Sequence, residues 1–232
     1  MKYHLVSLGC QMNASDSERV RSVIEEMGYQ WTDKEENANL IGVIACSVRQ
    51  KAIDKVYSKI YKWNLWKNKR NLITFVSGCI LPSDQDKFLK LFDIIFQMKD
   101  LPKLQELIKQ YGISTPVGLQ KSFDSQNENI KEFRNVKPSY SSKFEAFVPI
   151  QNGCDKFCAF CAVPYTRGRE VSRPSDEIVD EVINLIEQNF KTITLLGQNV
   201  NSYGLDKKGD EIDFPALLKR IGELGNKLKK EF

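Results

Sequence analysis

The sequence predicts an α/β fold in which an N-terminal domain with a doubly wound parallel sheet is followed by further βα units. Short apolar runs of strand length alternate with amphipathic helices over residues 1–113, and the same alternation returns over residues 144–232. Residues 114–143, rich in Ser, Asn and Lys, interrupt the pattern and are typical of a linker. Two domains joined by a linker fit a chain of 232 residues.

Strands and helices alternate regularly in the first domain. Val20, Val23, Ile24 and Met27 fall on one face of a helix that follows the first strand, and the same spacing recurs after the second strand. Right-handed connections place the ends of consecutive parallel strands at the same edge of a sheet. The predicted strands are Tyr3–Leu8, Leu40–Ala45, Leu72–Ser77 and Phe92–Gln97, and the last helix is Leu101–Tyr111.

The second domain repeats the βα alternation twice. A polar loop over Gly197–Gly209 separates its second strand from its second helix, and Ser175 is a residue type that can cap the first helix. The predicted elements are a strand at Phe144–Ile150, a helix starting at Ser175, a strand at Thr192–Leu196 and a helix at Phe214–Leu228.

Composition excludes several classes of protein. Apolar residues make up 41% and charged residues 28%, which is typical of a soluble globular protein, and a net charge of +4 is compatible with a nucleic-acid partner without indicating one. The longest apolar runs, such as Leu40–Cys46, are too short to span a membrane, and the N-terminal run is too short for a signal peptide. We therefore expect a cytoplasmic protein with reduced cysteines. The one histidine, His4, excludes metal sites built on several histidines and is expected to be structural.

Three cysteines, Cys154, Cys158 and Cys161, lie close together directly after a predicted strand. Three thiolates at this spacing can bind three irons of one [4Fe–4S] cluster and leave the fourth iron open to a cofactor. Structural zinc is the alternative, but it usually takes four protein ligands in two separated pairs, and no fourth cysteine or second histidine lies nearby.

The other three cysteines, Cys10, Cys46 and Cys79, each follow one of the first three strands. Because the carboxyl ends of parallel strands share an edge, we expect these thiols to converge on a second cluster. The alternative is that each is a small buried residue at a strand end, as free cysteines often are.

The loop of Cys154, with Phe160 just before its third cysteine, resembles the radical SAM superfamily. Three strand-end cysteines followed by such a loop resemble one family within it, the methylthiotransferases. The matching segments are Gly9–Asn13, Asp16–Glu18, Ala45–Arg49, Gly78–Cys79, Gly153–Cys161, Val163–Gly168, Val171–Pro174 and Leu196–Asn201.

This resemblance implies two [4Fe–4S] clusters, bound by the two groups of cysteines, and S-adenosylmethionine as a further cofactor. It places Phe160 beside the adenine of that cofactor, where the alternative is a core aromatic residue. Gln198 and Asn199 are assigned to cofactor binding, with capping of the loop as the alternative. The second domain would be a partial TIM barrel, which needs about six βα units where two are present. We therefore expect a chain that is truncated at its C-terminus and lacks the family's C-terminal RNA-binding domain.

Within the family, Gln11–Asn13, Pro164–Gly168 and Gly197–Asn201 look most like the branch that methylthiolates C2 of N6-isopentenyladenosine next to the anticodon of tRNA. S-adenosylmethionine would be both the methyl donor and the source of the radical. The implied partners are tRNA and an electron donor such as flavodoxin or ferredoxin, and a monomer is expected. The alternatives are methylthiolation of threonylcarbamoyladenosine in tRNA or of a ribosomal-protein aspartate, and, in another class, a non-catalytic zinc or iron–sulfur protein that binds RNA or acts as a sensor.

Two further features leave their interpretation open. Arg167, Arg169 and Arg173 follow the cysteine loop and either contact RNA phosphate or a cofactor carboxylate, or form a solvated basic face. After Cys79 the family usually has a small residue followed by Ala-Gln, whereas this chain has Ile80–Pro82, so the surroundings of that cysteine differ from the family pattern.

Overall fold

The structure, a computed structural model, describes residues 1–111 and 129–228. The chain forms two compact units, Met1–Ser139 and Tyr140–Phe232. Both are α/β, as predicted. No helix in the two described ranges is long and apolar enough to cross a membrane.

A five-stranded sheet forms the centre of the first unit, and each of its strand pairs is parallel. Its strand order, β2-β1-β3-β4-β5, places the first strand inside the sheet, which confirms the doubly wound arrangement. The last predicted strand shrinks to two residues, and the two exposed residues of β2 carry no apolar pattern that would have predicted them. The strands are β1 (Lys2–Leu8), β2 (Gln30–Trp31), β3 (Leu40–Cys46), β4 (Ile73–Cys79) and β5 (Ile94–Ile95).

Helices cover both faces of this sheet. Alternate residues of β3 point to opposite faces, so that Leu40 and Ile44 pack with one core cluster while Ile41 and Val43 pack with the other. Trp63 fills the second cluster and is fully buried. The helices of the unit are α1 (Gln11–Glu26), α2 (Gln50–Lys67), α3 (Pro82–Phe88), α4 (Leu104–Tyr111) and α5 (Asn129–Asn135).

The structure differs from the sequence prediction in the segment assigned as a linker, 114–143. Residues 112–128 lie outside the described residues, but Asn129–Asn135 form helix α5. Phe133 and Val136, from this helix and just beyond it, pack against the core of the first unit. These two apolar residues are too few to produce a visible helical period, which is why composition indicated a linker.

In the second unit, two strands lie side by side in parallel, β6 (Glu145–Pro149) and β9 (Thr192–Leu196). Ser175 does not cap the helix that it begins, because Pro174 occupies the capping position and its ring leaves no side-chain hydrogen bond there. The predicted polar loop contains two short 3-10 turns around the buried Tyr203. The remaining elements are β7 (Gln151–Asn152), α6 (Val163–Arg167), β8 (Val171–Ser172), α7 (Ser175–Glu187) and α8 (Phe214–Leu228).

Candidate functional site

Cys10, Cys46 and Cys79 meet at the carboxyl edge of the first sheet. Cys46 and Cys79 end β3 and β4 and stand directly opposite each other in the register of these strands. Cys10 follows β1 and stands immediately before α1. The ends of β1, β3 and β4 are therefore adjacent, as the parallel order of these strands requires. That the three thiols bind a second cluster stays a prediction.

Asn13, in the first turn of α1, links these strand ends. Its Oδ1 accepts a hydrogen bond from the backbone N–H of Cys10 at 3.2 Å and lies 3.4 Å from the Cys10 Sγ. Its Nδ2 donates to the carbonyl oxygen of Ala45 at 3.2 Å and lies 3.9 Å from the Cys79 Sγ. The segment containing Asn13 contributed to the family resemblance, but periodicity and spacing gave no reason to single this residue out.

The electrostatics of this edge favour a thiolate at Cys46. A hydrogen bond from the Cys79 thiol outweighs the effect of burial, and the backbone N–H groups of Val48 and Arg49 and the charge of Arg49 add to it. Together they lower the pKa of the Cys46 thiol from 9.0 to about 6. Arg49 is held beside the site by a 3.0 Å hydrogen bond from its Nη1 to the carbonyl oxygen of Gly9. Since metals bind the thiolate form, this environment suits a metal ligand.

The segment after Cys79, which departs from the family pattern, has an ordered connection to β3. The backbone N–H of Ser47 donates to the Cys79 carbonyl oxygen at 2.8 Å, and the N–H of Leu81 donates to the Ser47 Oγ at 3.1 Å. Pro82 then begins helix α3, a position where a missing N–H costs no hydrogen bond.

Cys154, Cys158 and Cys161 lie on a tight loop after β7. Gly153 enters the loop with a φ of +75°, and a Cβ at this position would lie 2.1 Å from the carbonyl oxygen of Arg169. Phe157 also has a positive φ, of 46°, which costs a bulky residue about 1–3 kcal/mol. The Cys161 N–H donates to the Cys158 carbonyl oxygen at 2.9 Å and closes the end of the loop.

Contacts from α6 and from the segment after it close the other side of this loop. Asp155 Oδ1 lies 2.9 Å from the Arg169 Nε and accepts a 2.9 Å hydrogen bond from the Glu170 N–H. The Arg169 guanidinium also lies 5.1 Å from the centre of the Phe157 ring, and Tyr165 meets the same ring edge-on. Residues 165–170 therefore pack directly against the cysteine loop.

The residues assigned to cofactor binding differ in their surroundings. Phe160 is 95% exposed, so the alternative of a core aromatic residue is wrong. The Asn199 Nδ2 donates to the Ser202 Oγ at 2.6 Å, a bond between two side chains of the turn after β9, and Asn199 makes no side-chain capping bond to the backbone of that turn. Gln198 is half-buried in the same loop.

The three arginines after the cysteine loop also differ in their exposure and contacts. Arg169 is exposed and holds the loop as described above. Arg167 lies near Asn152, with 3.4 Å between the Arg167 Nη1 and the Asn152 Oδ1. Arg173 is buried and donates to the Pro149 carbonyl oxygen and to the Glu181 carboxylate at 2.9 Å and 2.7 Å. Arg173 therefore belongs neither to a solvated basic face nor to an anion-binding site. Its side chain connects the end of β6 to α7.

Gln151 is a further residue that sequence reasoning missed. It is 1% exposed, and within the described part of the chain neither its Nε2 nor its Oε1 has a hydrogen-bond partner. It lies beside Gly197, whose missing side chain leaves room for the amide, at the end of β6 and β9. A buried amide without a partner can offer one donor and one acceptor to a bound molecule.

Zinc and iron–sulfur clusters place different demands on the spacing of cysteine ligands. Zinc holds its thiolates at about 2.3 Å and thus packs the sulfurs within about 4 Å of one another. Among residues 1–111 and 129–228, no three Cys, His, Asp or Glu side chains gather closely enough to hold one metal ion. A [4Fe–4S] cluster instead distributes its cysteine ligands over separate irons.

Two family models match this chain. Residues 2–97 match the uncharacterized protein family UPF0004, and residues 148–231 match the radical SAM superfamily. The first contains Cys10, Cys46 and Cys79, and the second contains the cysteine loop after β7.

Curated relatives match across both segments. Proteins named tRNA-2-methylthio-N(6)-dimethylallyladenosine synthase from Syntrophotalea carbinolica and Marinomonas sp. are 37% and 39% identical, and each alignment covers 96% of this chain. The chain spans about half the length of these relatives, 51% and 50%. Among solved structures, a truncated 3-deoxy-D-arabino-heptulosonate 7-phosphate synthase from Thermotoga maritima aligns at 12% identity and a TM-score of 0.21, too low to show a shared fold.

Proposed function

Because this chain belongs to the methylthiotransferase family of radical SAM proteins, we propose that it serves in the methylthiolation of C2 of N6-isopentenyladenosine in tRNA. The observation that carries the proposal is the convergence of Cys10, Cys46 and Cys79 on one sheet edge, in a chain that also has a radical SAM cysteine loop. An unactivated aromatic C–H requires radical chemistry, and a sulfur donor requires an open metal site. Two groups of three cysteines meet both needs.

Each group would hold one [4Fe–4S] cluster with an open iron. Radical chemistry is what a bound cluster and S-adenosylmethionine supply together, and the protein supplies binding, orientation and exclusion of competing reactions. On the second unit we propose that Cys154, Cys158 and Cys161 hold the cluster, with Phe160, Gln198 and Asn199 in contact with the cofactor. The exposure of Phe160 supports this, because an exposed ring is available to stack on an adenine.

On the first unit we propose that Cys10, Cys46 and Cys79 hold the auxiliary cluster, which carries the sulfur. Arg49 supports this role, since its charge favours the Cys46 thiolate. The domain assignment follows the same division, with residues 1–113 for the auxiliary cluster and residues 144–232 for the beginning of a radical SAM barrel.

The remaining partners belong to this proposal. A one-electron donor such as flavodoxin or ferredoxin would reduce the cluster of the second unit, and the chain would act as a monomer in the cytoplasm.

Metal content tests the cluster assignments. After anaerobic reconstitution we expect about eight irons and about eight sulfides per chain, the content of two [4Fe–4S] clusters. Replacing Cys10, Cys46 and Cys79 by Ala should halve this content and keep the spectral response to S-adenosylmethionine. The matched triple variant of the other group should halve the content and abolish that response. Stoichiometric zinc without sulfide would contradict the proposal and favour a non-catalytic zinc protein.

Substrate choice is tested separately. The reconstituted chain is incubated with a reductant, S-adenosylmethionine and either isopentenylated or threonylcarbamoylated tRNA, and the nucleosides are analysed by mass spectrometry. A methylthio group on isopentenyladenosine is the expected product. Modification of threonylcarbamoyladenosine alone would refute the choice of substrate.

A further inference from the structure

Asn13 is fully buried at the point where β1, β3 and β4 end. Its side chain contacts both the Cys10 and the Cys79 sulfur and also bonds the carbonyl oxygen of Ala45, which directly precedes Cys46. All three cysteine-bearing strand ends are thus connected to one amide group.

The backbone around Asn13 leaves space for this amide and for little else. A Cβ on Gly9 would lie 2.1 Å from the Asn13 Oδ1. A Cβ on Gly78 would lie 3.1 Å from the Asn13 Nδ2 and 2.3 Å from the Ala45 carbonyl oxygen, and the φ of +110° at Gly78 is itself unfavourable for other residues. Any side chain at the positions before Cys10 and Cys79 would therefore crowd the Asn13 amide, which is one reason why both are glycines.

The two ends of the amide act differently on the sulfurs. Oδ1 accepts the Cys10 N–H and so fixes the backbone of the first ligand, a bond that remains when the thiol loses its proton. Nδ2 is directed at the Cys79 sulfur and can donate to it as a thiolate. Hydrogen bonds to ligand sulfurs tune iron–sulfur clusters, because a donor stabilises the reduced, more negative state.

We infer that Asn13 is a positioning residue of the first cysteine group, which fixes Cys10 relative to Cys79 and raises the reduction potential of the cluster they bind. This inference rests on the proposed function, since it assumes that Cys10, Cys46 and Cys79 hold an iron–sulfur cluster. Asn13, together with the three cysteine ligands, therefore determines the reduction potential of that cluster and how tightly the protein holds it.

The test uses the full chain with Cys154, Cys158 and Cys161 replaced by Ala, so that only the first group binds a cluster. Asn13→Asp keeps the size of the side chain and the acceptor for the Cys10 N–H, but it removes the donor and adds a negative charge. Asn13→Leu removes both polar groups. The matched control is Asn64→Asp, because the Asn64 Nδ2 donates to the Leu91 carbonyl oxygen at 3.1 Å elsewhere on the first unit.

Cluster potential and iron release are measured in each variant. We expect both Asn13 variants to lose iron to a chelator at least tenfold faster than the parent. We also expect a potential lower by roughly 59 mV or more in Asn13→Asp, which is a tenfold change in a one-electron equilibrium. Asn64→Asp should match the parent in both measurements.

The outcomes separate this inference from the proposed function. A parent that binds iron and sulfide, with Asn13 variants that equal it in potential and iron release, would overturn the inference alone. Loss of native tryptophan fluorescence in both variants would also overturn it, because Asn13 would then be required for folding and not for positioning. A parent that takes up no iron and sulfide would overturn the proposed function, and this inference with it.

Discussion

Glu35 connects the turn before β3 to helix α2, and its replacement by Gln should make the first unit less stable in a pH-dependent way. Its carboxylate accepts hydrogen bonds from Lys59 and from the Trp63 Nε1, the latter at 3.0 Å, and it lies 3.4 Å from the Lys62 Nζ. Burial acts to raise the pKa of Glu35, but these hydrogen bonds and the two lysine charges outweigh it and lower the pKa from 4.5 to about 2.

The difference between the two pKa values corresponds to about 3 kcal/mol in favour of the folded state at neutral pH. Lys59 and Lys62 are 31% and 52% exposed, so water screens part of their attraction and about 2 kcal/mol is the expected effect. A carboxylate whose pKa is lowered by folding stabilises the protein above the unfolded pKa of 4.5. That stabilisation is lost as the pH falls from 4.5 towards 2.

Urea unfolding followed by tryptophan fluorescence measures this effect, because Trp31, Trp63 and Trp66 all lie in the first unit. Glu35→Gln should lower the free energy of unfolding by about 2 kcal/mol at pH 7, and the difference from the parent should shrink as the pH approaches 2. The control is Glu36→Gln, at the exposed neighbouring residue, which should equal the parent. A difference that stays constant from pH 7 to pH 2.5, or no difference at pH 7, would refute the reasoning.

Two further predictions concern the second unit. Gly153→Ala should displace the cysteine loop, because the new Cβ would collide with a backbone carbonyl oxygen and because φ is positive at this position. The iron content of the reconstituted chain should therefore fall from about eight to about four atoms. An unchanged iron content would contradict this prediction. Arg173→Leu should destabilise the second unit by about 3 kcal/mol in thermal unfolding followed by near-UV circular dichroism, because it removes the buried cation of the ion pair with the half-buried Glu181. The control is Arg220→Leu, which breaks an exposed ion pair with Asp176 and should lower the free energy of unfolding by less than about 1 kcal/mol. Equal losses in the two variants would contradict the structural role of the Arg173–Glu181 ion pair.

The central strands of the first sheet could be predicted because these strands are buried on both faces. The continuous apolar run of β3 is the pattern that such strands require, and the cysteines at strand ends could be brought together from the topology alone. The edge strands β2 and β5 have two residues each, too few to show a period. Helix α5 was missed for the same reason, since its contribution to the core comes from long-range packing of Phe133.

The roles of individual polar residues near the cysteines were harder to predict. Arg173 has the sequence neighbourhood of an anion-binding residue, and only the fold shows that Glu181, a turn and more along α7, takes its charge. Asn13 and Gln151 are ordinary polar residues in sequence. Their significance comes from full burial, because leaving a buried polar group without a hydrogen bond costs about 1–3 kcal/mol.

The two cysteine groups are prepared for their clusters in different ways. Cys46 and Cys79 are 6% and 5% exposed at the ends of strands whose register the sheet fixes, so the fold itself sets their positions. Cys158 is exposed on a loop that contains a strained Phe157, and no strand pairing holds it. Where a site is not preformed, metal binding and the ordering of its ligands are coupled. Binding a cluster should therefore order the second site more than the first, where Asn13 and the sheet have already positioned the ligands.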